Sequence, residues 1–167
     1  KIKQHKDPFF KKSKILGYRS RASFKLIELN KKFKFLKSNT KLLDLGSYPG
    51  SWSQVASKTI TNGKILSIDI KNMSPIKNVN FYKGDIFKKT TKNKIKDFFD
   101  GKLEVIISDM AANTTGNKSL DSIRTNQLCL EILNLSSKIL IPDGVFVSKV
   151  FMGEDFDEIK NLAEILF

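Results

Sequence analysis

The sequence predicts an α/β fold in which a mostly parallel central sheet is doubly wound, with helices on both of its faces. Three observations predict it. Apolar runs of strand length, among them KLLDL, KILSIDI and LEVIIS, alternate with segments whose apolar residues recur at helical spacing; this order builds βαβ units and a sheet buried on both sides. The first run passes through a carboxylate into a turn with two glycines, Gly46 and Gly50, and then into a helix. Carboxylates then end successive strands at Asp44, Asp69 and Asp85, in a chain of 30 Lys and Arg against 17 Asp and Glu.

The turn is a candidate ligand site. In KLLDLGSYPGSW, Gly46 and Gly50 permit backbone conformations and close approach that a side chain would block, and Ser51 is positioned to cap a helix starting near Trp52. In such a sheet, ligands sit beyond the carboxyl ends of the strands. The turn has neither the full G-x-G-x-x-G of dinucleotide sites nor a Gly-Lys-Ser/Thr phosphate loop. Asp44 would repel phosphate and suits a cationic ligand, such as a nucleoside carrying an ammonium and a sulfonium. A plain structural βα turn is the competing reading.

A chain of 167 residues is one domain by length. A formal charge of +13 and a pI near 9.8 point to a polyanionic partner, most simply nucleic acid. Lysine, asparagine and isoleucine are used heavily throughout, so some lysines only solvate the surface; the three arginines are the better tracer, and Arg19 and Arg21 share one short segment. The lone Cys129 lies in an apolar helical pattern and excludes a disulfide framework and a cysteine metal cluster, and His5 is also alone. No apolar run approaches the roughly 20 residues of a spanning helix. We therefore expect a soluble, cytoplasmic monomer without metal. The chain stops at Phe167 inside an apparent helix, and a longer polypeptide is expected.

Residues 1–17 read as a basic arm that touches RNA or stays mobile, broken by Phe9 and Phe10, and 18–167 as the single folded domain. Tyr18 to Leu36 is a helix with a basic start; Lys25 within it is either a site residue or a solvated lysine. Trp52 to Ile60 is a helix and Gly63 to Ile70 a second strand, whose Asp69 lies about 20 residues past the turn, where α/β nucleoside sites use an acid on ribose hydroxyls. Asn78 to Lys83 is a third strand, followed by Asp85, which is either a ligand-facing acid or a helix cap. The lysine-rich stretch from Thr90 to Lys102 is a helix or a surface excursion. Leu103 to Ser108 is a fourth strand ending at Asp109, and a loop of small and polar residues follows to Ser119. Leu120 to Leu140 is a long helix ended by Pro142, Asp143 and Gly144. The last helix begins near Asp155, with Phe156, Ile159, Leu162 and Ile165 or Leu166 turned inward.

Lys149 is the anomaly. It interrupts the apolar run Val145 to Phe151, which reads as an interior strand, and an unpaired buried ammonium would cost several kcal/mol. Either it pairs with Asp109 at the end of a neighbouring strand, or it lies at the strand's exposed end and reaches water.

Four segments, YRSRASFKL, DLGSYPGSW, SDMAAN and VSKVFMGEDF, make Tyr18 to Phe167 resemble the FtsJ/RrmJ family of RNA ribose 2′-O-methyltransferases, in particular its large-subunit ribosomal RNA type. The resemblance implies a Rossmann-like methyltransferase fold, S-adenosylmethionine as methyl donor, RNA as partner and a Lys-Asp-Lys-Glu catalytic tetrad. The tetrad's first three members fall on Lys25, Asp109 and Lys149. Cofactor-binding positions fall on Gly50, Trp52, Asp69 and Asp85, together with the turn residues Asp44, Gly46 and Pro49 and with Asp109. RNA contact is expected at Arg19, Arg21 and Lys25. The turn departs from the usual AAPGGW, and the tetrad's glutamate has no counterpart in the chain, which implies missing C-terminal strands. Enzymes of the same family acting on transfer RNA or an mRNA cap, and an unreactive RNA-binding assembly factor on this fold, are the alternatives.

Overall fold

The structure is a computed structural model and describes residues 7–101, 103–112, 115–153 and 155–167. Helices α1 (Pro8–Ile15) and α2 (Ala22–Phe33) precede β1 (Lys41–Leu45), α3 (Ser51–Thr59), β2 (Lys64–Asp69) and β3 (Asn80–Lys83). There follow α4 (Lys89–Phe99), β4 (Leu103–Ser108), α5 (Lys118–Ile139), β5 (Leu140–Ser148) and α6 (Phe156–Leu166). The five strands pair in parallel in the order β3-β2-β1-β4-β5. The chain winds outward from β1 to β3 and then returns to place β4 on the other side of β1, so the switch in winding direction falls between β1 and β4. Ligand crevices open at such a point.

The strands sort their side chains by strict alternation. Leu42, Ile65, Val105 and Ile107 join Leu26 of α2 and Trp52, Val55 and Ala56 of α3 in one core. Leu43, Leu45, Leu66, Ile68 and Ile106 join Ile95 and Phe99 of α4 and Ile132 of α5 in the other. Asp44 and Ser67, two residues on from Leu42 and Ile65, therefore face α3. Cys129 is buried, as a small core residue should be.

Several expectations are corrected. Residues 8–15 of the expected basic arm form a helix, because Asp7 accepts hydrogen bonds from the backbone N–H groups of Phe9 and Phe10 and Pro8 suits the first turn; residues 1–6 of that arm lie outside the described residues. The stretch from Thr90 is helical to Phe99, and Lys102 at its expected end is outside the description. Pro142 to Gly144 do not separate α5 from the fifth strand. They lie inside β5, where Asp143 adopts a positive φ of 61° and the register against β4 shifts between Leu103 and Val105. At the other end β5 stops at Ser148, so Lys149 follows the strand instead of sitting within it. In α6, Leu166 is part-buried and Ile165 exposed.

Candidate active site

Residues at the carboxyl ends of the strands assemble the site. Beyond β1 the turn hangs on β2, with the N–H groups of Gly46 and Ser47 both donating to the carbonyl of Ile68, at 2.9 and 3.2 Å. Gly46 has φ 68°, and a Cβ there would stand 2.3 Å from Cγ of Met110. Gly50 has φ 106° and directly precedes α3; a Cβ on it would stand 2.6 Å from Nη1 of Arg19. Both positions combine a left-handed backbone with close approach, and only glycine meets both demands at low cost. Ser51 is the first residue of α3 rather than its cap, and its hydroxyl donates to Oγ of Ser20 at 2.7 Å.

Asp44 is fully buried on the α3 side, where Ser53 donates to its Oδ2 and is itself bonded to Ser67. Burial, followed by the charges of Asp109 and Asp69, outweighs the Ser53 hydrogen bond and pushes the Asp44 carboxyl up to about 7. Among the described residues its Oδ1 and the Ser47 hydroxyl are enclosed without a hydrogen-bond partner. Both border a narrow pocket lined also by Tyr48, Ser51, Trp52 and Asp109. An ammonium placed there would satisfy both atoms, so their chemistry suits the amino-acid end of a cationic nucleoside.

A larger cavity of about 260 Å³ opens beside it, lined by Gly46, Tyr48, Asp69, Asp85, Asp109 and Met110 among others. Asp69 is held rigid by two backbone donors, Tyr48 N to Oδ2 at 2.9 Å and Lys71 N to Oδ1 at 2.7 Å. Each oxygen keeps further acceptor capacity for a hydroxyl. Asp85 lines the cavity and is not a helix cap: its Oδ1 accepts from Phe87 N at 3.0 Å in a turn, and α4 begins only at Lys89.

A third cavity, of about 650 Å³, lies between α1 and α2 and is lined by Phe9, Arg21, Phe24, Lys25, Asp109 and Lys149 among others. Asp109 borders all three cavities. Lys149 donates to Oδ1 of Asp109 at 2.9 Å and to the Asp109 carbonyl at 2.8 Å, while its own backbone N–H bonds the Ser108 carbonyl at 2.9 Å. Its side chain is 23% exposed and that of Asp109 31%. Both sequence readings of Lys149 thus hold in part: it lies at a strand end, and it is paired. Lys25 reaches the same cavity from the exposed face of α2.

Other expected site residues are placed differently. The Arg19 guanidinium, expected to face RNA, donates instead to three carbonyls, those of Pro49 (2.8 Å), Ser74 (2.9 Å) and Pro75 (2.9 Å). It ties the turn to the loop after β2. Arg21 is exposed and ion-paired with Asp7. Trp52 is buried in the core, its indole N–H donates to the Ala22 carbonyl at 2.9 Å, and it also lines the narrow pocket. Asn113, the last residue of the SDMAAN segment, lies outside the described residues. Sequence reading missed Ser53 and Ser67, which support Asp44, and Ser20 with Gln54, which tie the start of α2 to α3. Isolated serines carry no spacing signal that could have marked them.

Comparison with known proteins agrees with this geometry. The FtsJ-like methyltransferase family matches residues 18–167. The chain is 45% identical over 165 residues to the "Ribosomal RNA large subunit methyltransferase E" of Pelagibacter ubique, covering 99% of this chain and 81% of that protein. It is 43% identical over 171 residues to the protein of the same name from Rickettsia akari, covering 99% and 75%. A crystal structure of a ribosomal RNA methyltransferase from Plasmodium falciparum superposes with a TM-score of 0.79 at 38% identity, over 86% of this chain and 84% of that one. The fibrillarin pre-rRNA processing protein of Methanococcus jannaschii shares the fold alone, at a TM-score of 0.54 and 17% identity over 79% and 58% of the two chains. With the match running from Tyr18 to the last residue, and with its motifs brought together at one sheet edge, this chain is an enzyme that belongs to the FtsJ-like methyltransferase family.

Proposed function

We propose that this protein methylates a ribose 2′-hydroxyl of RNA, with large-subunit ribosomal RNA as the substrate class and S-adenosylmethionine as the methyl donor. One observation carries the reading: the Lys149–Asp109 pair stands where the carboxylate-lined cavities meet the cation-lined one. Family membership supports methyl transfer, and the printed names of the relatives support the ribosomal substrate.

The bound donor supplies a sulfonium-activated methyl group. The chain's own residues have to bind and orient the reactants, while the hydroxyl's proton passes to solvent as its oxygen takes the methyl group. Asp44 and Ser47 accept from the ligand's ammonium, and Asp69 accepts from its ribose hydroxyls. Two of the three ammonium donors of Lys149 are used on Asp109, which leaves one direction in which Lys149 meets the RNA hydroxyl. Asp109 thereby sets the angle at which that hydroxyl is presented, and Lys25 adds a second cation for the approaching strand. Arg21 contacts phosphate from the rim.

The test is methyl transfer from isotope-labelled S-adenosylmethionine into total RNA, followed by mapping of the labelled nucleotide. Label in ribose of the large-subunit RNA is the expected result. Label in a base, in transfer RNA only, or in no RNA contradicts the corresponding part of the proposal.

A further inference from the structure

The cation-lined cavity has a wall that neither methyl transfer nor phosphate contact explains. Phe9 of α1 lines it and is 53% exposed. Its ring is packed on one side against Phe24 of α2, with centroids 5.8 Å apart and planes tilted by 54°. Phe24 is in turn backed by the edge of Tyr18 at 6.0 Å and by the Lys12 ammonium at 5.4 Å from its centroid. Among the described residues the aromatic face is therefore fixed from behind and open in front. Arg21 and Lys25 flank Phe24 on the same side of α2, and the cavity also reaches Lys149 and Asp109. Two acids belong to this wall: Asp7, which is ion-paired with Arg21 and caps α1, and Glu28, one turn beyond Lys25.

A flat apolar surface bordered by cations matches the chemistry of a nucleotide, whose base has two apolar faces and whose phosphate is anionic. Base–aromatic stacking tolerates any base, because each has a π-face. In a duplex those faces are covered by neighbouring base pairs, so such a wall favours an unpaired base, as in loops and bulges. We propose that Phe9, backed by Phe24, is a stacking platform for an unpaired nucleobase of the RNA strand that presents its ribose to Lys149. This rests on the RNA methylation reading above and adds to it a base-binding site and a preference for single-stranded targets.

The experiment uses a synthetic RNA oligonucleotide spanning the mapped methylation site, with 2-aminopurine scanned across the target nucleotide and its neighbours. In the whole chain bound to S-adenosylhomocysteine, fluorescence is expected to be quenched at one scanned position and to recover in Phe9→Leu. Steady-state kinetics should show the KM for this RNA raised about 10-fold in Phe9→Leu, in line with the loss of one stacking contact. Both kcat at saturating RNA and cofactor affinity by calorimetry should remain as in the unsubstituted protein, and Phe9→Trp should restore the KM. An unchanged KM in Phe9→Leu, a Phe9→Trp protein as impaired as Phe9→Leu, or quenching at no position overturns the platform. If Phe9→Leu also shifts cofactor affinity through misplacement of α1, the quenching pattern of the unsubstituted protein together with Phe9→Trp decides. An unsubstituted protein that methylates no RNA overturns the function itself, a result distinct from active protein with an indifferent Phe9.

Discussion

The two sides of the Lys149–Asp109 pair are built by different means. On the cofactor side, groups are set by main chain: Asp69 is gripped by two backbone N–H groups, the glycine turn hangs on the Ile68 carbonyl, and Arg19 binds three carbonyls drawn from two loops. On the RNA side, α2 presents exposed side chains, and α1 is held to it by an ion pair and ring contacts. A small ligand of constant shape favours the first construction, since donors and acceptors fixed in advance lose little entropy on binding. A long, variable polyanion favours the second, where long side chains adjust to phosphates. The two sides are nevertheless joined, because Ser20–Ser51, Trp52–Ala22 and Arg19–Gln54 lock the start of α2 to the first turns of α3.

The largest expected effect lies at the junction. Lys149→Met keeps most of the side-chain volume at a position that is already partly exposed, so it should fold and bind both ligands. Methyl transfer should fall by about 100-fold or more, as when the group that orients the reacting hydroxyl is lost. Single-turnover transfer beside calorimetric cofactor binding checks this, and transfer at the unmodified rate would remove Lys149 from the reaction.

Next in size is Asp69→Ala. It removes acceptors for ribose hydroxyls and also releases Tyr48 N and Lys71 N, so cofactor binding should weaken by about 1–3 kcal/mol. RNA affinity measured without cofactor should not move; if it does, the two sides are less separate than their construction suggests.

A pH series sharpens the contrast further. With its carboxyl near 7 in the folded chain against 3.8 as its ordinary value, Asp44 takes up a proton on folding between those values. Its contribution to the stability of the cofactor-free protein is therefore complete below about pH 4 and is lost as pH rises through about 7. A ligand ammonium needs the ionised form, so cofactor affinity should move the opposite way. It should rise about 10-fold from pH 6 to pH 8, and Asp44→Asn should flatten that rise. Affinity independent of pH in the unsubstituted protein would show that Asp44 does not face the ammonium.

The smallest effect separates the two arginines. Arg21→Ala should reduce the salt dependence of RNA binding by about one unit of slope and leave cofactor affinity alone. Arg19→Ala should weaken cofactor binding and lower the melting temperature without changing that slope. Equal slope changes in both variants would return Arg19 to the RNA side.

Much of this site was legible in the chain because its signals are local. An apolar run ending in a carboxylate and followed by glycines marks a strand end and a ligand turn at Asp44 to Gly50, since the backbone demands there are met by few residue types. The lysine at 149 in an apolar run likewise points either to a carboxylate partner or to an exposed strand end, and both hold in part: it follows β5 and pairs with Asp109. The helix at 8–15 was legible in principle from Asp7 and Pro8, but the surrounding lysines masked it.

What sequence alone determined, then, was the order of elements from α2 onward, the two-faced burial of the strands and the presence of a charged cluster at their carboxyl ends. These follow from periodicity and from the cost of burying charge. Only tertiary structure decided which donor meets which acceptor. Arg19 and Arg21 are chemically identical and two residues apart, yet one closes on carbonyls 30 to 56 residues away and the other faces solvent. Ser53 and Ser67 acquire a role only because parallel pairing sets Asp44 opposite Ser67 and α3 crosses above them. Such choices depend on distances between segments remote in sequence, and no local pattern of residues encodes them.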